Sequence, residues 1–115
     1  MKTYDDLKKK VEENEGVLTV QMLTLREIHG ADRLGINVRD NIRRDLAGYG
    51  LAHFPSSLPD NQYAYARVYK QGTPVADIIL AVLDADPEKD AVIRKAAGGD
   101  GAEDTLRKIK ELLEQ

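Results

Sequence analysis

The sequence predicts an α+β fold with a C-terminal helical extension, on three observations. Several stretches carry apolar residues three or four apart, the spacing of one helix face. Between them lie shorter stretches that are β-branched or that alternate, the pattern of strands. Glycines and prolines stand at the joints, and 115 residues suffice for one domain with a core of modest size. The expected division is a main domain over residues 1–84 and a helical extension over residues 85–115.

Taken in order, Tyr4, Leu7 and Val11 line one face of a first helix, with Thr3 as its N-cap and Gly16 as its stop. Residues 17–22, rich in β-branched side chains, form a first strand. Thr24 and Glu27 then have the spacing of a capping box, so a short second helix is expected to begin at Leu25, with Leu25 and Ile28 on its apolar side. Gly30 and Gly35 bracket a corner where helix is costly. Beyond it, Asn37 is expected to cap a longer helix whose Val38, Ile42, Leu46 and Tyr49 share one face, and the Gly48-Tyr49-Gly50 stretch ends it.

Residues 51–54 and 63–70 read as two strands of a hairpin, joined by the proline-containing loop 55–62. In the second of these strands Tyr63, Tyr65 and Tyr69 fall on one face. Such a face can stack bases, but with one Phe and no Trp in the chain these tyrosines are assigned to packing. Thr73 and Pro74 open another helix as N-cap and first helical residue, with a stripe of Val75, Ile78, Ile79, Val82 and Leu83. Pro87 opens a further helix to about Ala97. After the glycine-rich residues 98–101, Leu106, Ile109, Leu112 and Leu113 mark a last amphipathic helix.

The order helix, strand, helix, corner, helix, strand, loop, strand over residues 3–70, with the Thr24/Glu27 spacing and the glycine corner, resembles the winged helix-turn-helix superfamily. The resemblance covers about two-thirds of the chain. It implies that the helix over residues 38–47 is offered to the DNA major groove and that the hairpin 51–70 is the wing. The function it implies is a non-enzymatic DNA-binding module, a transcriptional regulator, whose partner is double-stranded DNA; the charged N-terminus without an apolar stretch and the lack of cysteine make cytoplasm the simplest expectation of location. The residues expected to touch DNA are Arg33, Asn37, Arg39, Arg43, Arg44, Arg67 and Lys70. Arginine bonds phosphate or guanine edges in a bidentate manner, and asparagine bonds adenine. The alternative is the same fold used as a protein–protein interaction module, with the tyrosine face or the last helix as its surface. The apolar stripe of that helix also suits a homodimer, which matches two half-sites on DNA.

Charge distribution narrows this further. The chain carries a net −3, but residues 17–76 hold seven Lys/Arg against five Asp/Glu, whereas residues 77–115 hold six against ten. A DNA surface therefore belongs to the middle of the chain. Loop 55–62 contains no Lys or Arg. There is no cysteine, which excludes disulfides, cysteine-bound metal and thiol catalysis. Two histidines, His29 and His53, are too few and too far apart for a zinc site. No nucleophile elbow or phosphate loop is present. Neither catalysis nor a cofactor nor a metal is expected, and no apolar run is long enough to span a membrane.

Overall fold

A computed structural model describes residues 1–97 together with Arg107, Ile109 and Glu111. It is α+β, with helices and a three-stranded antiparallel sheet. The chain divides into two units, Met1–Thr73 and Pro74–Gln115. This division lies ahead of the boundary after residue 84 expected from the sequence, because the helix that follows Thr73 packs with the next helix.

In the first unit, Thr3 starts helix α1 (Tyr4–Glu13). Its hydroxyl accepts from the Asp6 backbone N–H at 3.1 Å, and the Asp6 carboxylate accepts from the backbone N–H of Lys2 and Thr3 at 3.1 and 3.2 Å. Those backbone donors, with the Thr3 hydroxyl, hold the Asp6 carboxyl below the usual carboxylate range. Leu7 and Val11 are fully buried beneath α1. Gly16, at φ 92°, turns the chain into strand β1 (Val17–Gln21).

Helix α2 (Met22–His29) follows β1 without a turn. The expected start at Leu25 is therefore corrected, since the Thr24/Glu27 capping box lies inside a helix already under way. The physical reason is long-range. The backbone N–H of Met22 donates to Ala64 O at 2.9 Å and that of Leu23 to Gln62 O at 2.8 Å. Loop carbonyls thus satisfy the first-turn donors that a side-chain cap would otherwise serve. Thr3→Ala is expected to cost about 0.5–2 kcal/mol, the range for a lost N-cap. Thr24→Ala should cost far less, and urea denaturation of the two variants compares them directly.

Gly30, at φ 75°, ends α2, and its N–H bonds back to the helix. After the corner comes helix α3 (Ile36–Gly48), capped by Gly35 with no side-chain bond. Asn37 is thus the second helical residue rather than the cap, and it is exposed. Ile42 and Leu46 are fully buried, and Val38 and Tyr49 pack against the core, as the periodicity predicts.

Strand β2 (Leu51–Phe54) and strand β3 (Tyr65–Lys70) complete the sheet in the order β1-β3-β2. The register pairs Leu18 and His53 with Val68, and Val20 with Ala66. These residues form the inner face. Tyr69, on the opposite face, is also buried. Tyr63 lies ahead of β3, and both it and Tyr65 stay exposed, so the packing role expected of all three tyrosines holds for Tyr69 alone.

The second unit begins with helix α4 (Pro74–Leu83), with proline at its first position as expected. Ala76, Ile79 and Ala81 are buried, while Leu80 and Leu83 are exposed, so Leu83 is not part of a covered stripe. The expected helix from Pro87 resolves into a 3₁₀ turn (Pro87–Lys89), capped by the Asp86 carboxylate, and helix α5 (Asp90–Ala97). The glycine-rich residues 98–101, and Leu106, Leu112 and Leu113 of the last stripe, lie outside the described residues. Ile109 is helical and half-buried. No helix among the described residues is long and apolar enough to cross a membrane.

Candidate functional site: the outer face of α3

The inner face of α3 is committed to the core, which leaves Asn37, Asp40, Asn41, Arg43, Arg44 and Ala47 exposed. Asp40 stands at the centre of this surface. Its Oδ1 accepts from Arg43 Nη2 at 3.1 Å, and its Oδ2 lies 3.8 Å from Arg44 Nη2. All three side chains are at least half exposed, so these pairs contribute only tenths of a kcal/mol to stability, about 0.3–0.5 each.

Arg39 is different. It is half-buried, its Nε donates to Leu34 O at 3.0 Å, and its Nη1 donates to Leu58 O at 3.1 Å. The guanidinium therefore ties the corner before α3 to the loop between β2 and β3. Leu58 is buried in the core at the same place. On its far side the loop is held again, by Arg26 Nη1 donating to Gln62 Oε1 at 2.7 Å. A cleft of about 230 Å³ opens between α3 and the loop, lined by Ile36, Arg39, Asp40, Arg43, Ser56 and Ser57 among others.

Of the seven residues singled out in the sequence, the structure brings Arg39 and Arg43 together at this cleft. Arg44 and Asn37 belong to the same helix, and exposed Arg33 lies in the corner before it. Arg67 and Lys70 are on β3 and do not line the cleft. Arg67 is half-buried on the outer sheet face, where desolvation lowers its pKa, and Lys70 Nζ lies 3.5 Å from Glu12 Oε2. Ile36, Ser56 and Ser57 were not singled out. Ile36 did leave a signal, since it precedes Val38 by two positions, about 200° around the helix from the core stripe. It is 74% exposed. The serines had none, because only the folded loop brings them beside α3.

A second cluster fixes where α3 sits. Tyr4 of α1 hydrogen-bonds His29 Nδ1 at 2.9 Å and stacks on Tyr49 with 5.5 Å between centroids. The same His29 nitrogen is 3.4 Å from Asp45 Oδ2. One tyrosine therefore joins the start of α1 to the end of α2 and the end of α3. Burial, with the negative charge of Asp45, pushes the Tyr4 phenol well above the ordinary tyrosine range, and burial pushes Tyr69 up as well. The folded state thus holds these protons more tightly than the unfolded chain does. Their contribution is complete below the unfolded tyrosine pKa of about 10 and is lost as pH rises beyond it. Tyr4→Phe should accordingly flatten the loss of stability at alkaline pH, as read by denaturation at pH 8 to 11.

Among the described residues no group of three or more metal-ligating side chains converges. No family model matches the chain, and neither a curated protein nor a solved structure matches it.

Proposed function

We propose that the chain is a DNA-binding module of the winged helix-turn-helix kind, non-enzymatic and acting as a transcriptional regulator. The observation that supports it most is the topology around α3. The element order α1-β1-α2-α3-β2-β3 combines with the sheet order β1-β3-β2, and α3 lies with Arg43 and Arg44 outward. That arrangement suits a helix presented to the major groove, with the β2–β3 loop beside it as the wing. Arg43 and Arg44 are the contacts best exposed for DNA, with Arg33 and Asn37 near the entry of the helix. Arg39 serves mainly to set the loop, and Arg67 and Lys70 sit behind it.

Fluorescence anisotropy of a labelled random duplex at two salt concentrations tests this. Binding that weakens as salt rises, through release of condensed counterions, supports the proposal. No binding at low salt removes it. A homodimer belongs to the same proposal, and sedimentation of the full chain against a version ending at Gly98 checks it.

The exposed pair Tyr63 and Tyr65 favours a second reading, a protein-interaction module using the surface where the chain enters β3. Tyrosine is enriched in protein interfaces because its ring is apolar and its hydroxyl wet. Contact of that kind is far less sensitive to salt than phosphate binding.

A further inference from the structure

We infer that Asp40 makes α3 a guanine reader by holding Arg43 for the O6 and N7 acceptors of a guanine in the major groove. The inference rests on the DNA-binding reading and names what that site reads.

A carboxylate at the middle of a phosphate-binding face is unfavourable, because it repels the backbone. Asp40 nevertheless stands there, between Arg43 at 3.1 Å and Arg44 at 3.8 Å. The loop between β2 and β3 is also poor in phosphate ligands. Loop residues 55–64 contain no Lys or Arg and include Asp60. Arg39 has two of its donors committed to the carbonyls of Leu34 and Leu58. The whole chain is acidic, at net −3. The loop and Arg39 therefore add little to the sequence-independent part of DNA affinity, which scales with the number of phosphates neutralised. On α3 itself a base contact falls to Arg43 or Arg44, both exposed.

Arg43 is built for such a contact. Guanidinium presents five donors in a planar fork. Asp40 engages only Nη2, so among the described residues Nε, Nη1 and the second Nη2 hydrogen remain for a ligand. Two adjacent donors on one edge match the O6 and N7 acceptors of guanine, the commonest specific arginine contact. A fork already held by a carboxylate loses less side-chain freedom on binding than a free one. Arg44, farther from Asp40 and 69% exposed, is left for backbone phosphate.

The test uses the full chain. Sites are enriched from a random duplex pool. Affinity is then measured for the enriched site, for the same site with 7-deazaguanine, which lacks the N7 acceptor, and for random duplex. We expect an enriched guanine, and a loss of roughly tenfold on deaza substitution. Asp40→Asn should bind random duplex several-fold more tightly while its deaza penalty shrinks, because removing the charge favours phosphate and frees the fork. Arg43→Ala should abolish the penalty. An enriched site without guanine, or an Asp40→Asn variant with an unchanged ratio of site to random affinity, overturns the inference and leaves DNA binding standing. Failure of the wild type to bind any duplex at low salt removes the DNA-binding reading itself, and the inference with it.

Discussion

Leu46→Ala is expected to destabilise the first unit by about 2–5 kcal/mol. Leu46 is fully buried on the inner face of α3, in the same core as Ile42, Leu25 and Leu7. Truncation loses the transfer free energy of three carbons and leaves a cavity that close-packed neighbours fill only in part. Net stability of a small domain is typically about 5–15 kcal/mol, so the variant retains only a fraction of it. Denaturant unfolding followed by circular dichroism measures the loss. Ala47→Ser, on the exposed side of the same helix, is the control and should shift the midpoint little. Similar costs for the two variants would mean that α3 is not seated as described.

The second large effect concerns binding. Arg43→Ala combined with Arg44→Ala should weaken DNA binding on the order of 100-fold, from the loss of one base contact and one phosphate contact. The melting temperature should stay nearly constant, because both side chains are exposed and, among the described residues, their ion pairs are with Asp40 alone. Unchanged affinity alongside unchanged melting would direct attention away from α3 and toward the tyrosine side of the sheet.

Elements held by local physics were legible in the sequence. The stripe of Val38, Ile42, Leu46 and Tyr49 predicts the buried face of α3, and Leu7 and Val11 predict that of α1. The glycine corner follows from positive φ at Gly30. The misreadings arose where a distant segment replaced a local signal. Thr24 and Glu27 have the right spacing for a cap, but carbonyls some forty residues away serve the start of α2 first. Asn37 is a good cap by type, yet Gly35 is the residue that leaves the helix path. The candidate site divides in the same way. Arg43 and Arg44 could be placed on an outward face by periodicity alone. The commitment of Arg39 to two backbone carbonyls could not, because Leu58 reaches it only through the folded loop.

The start of α2 has a consequence for local opening of the fold. In most helices the first amides fray by themselves and exchange quickly with solvent. Here the amides of Met22 and Leu23 are held by residues 64 and 62. Their exchange therefore reports the opening of the β2–β3 loop rather than the fraying of the helix. Any ligand that immobilises that loop should slow deuterium uptake at these two positions without touching them.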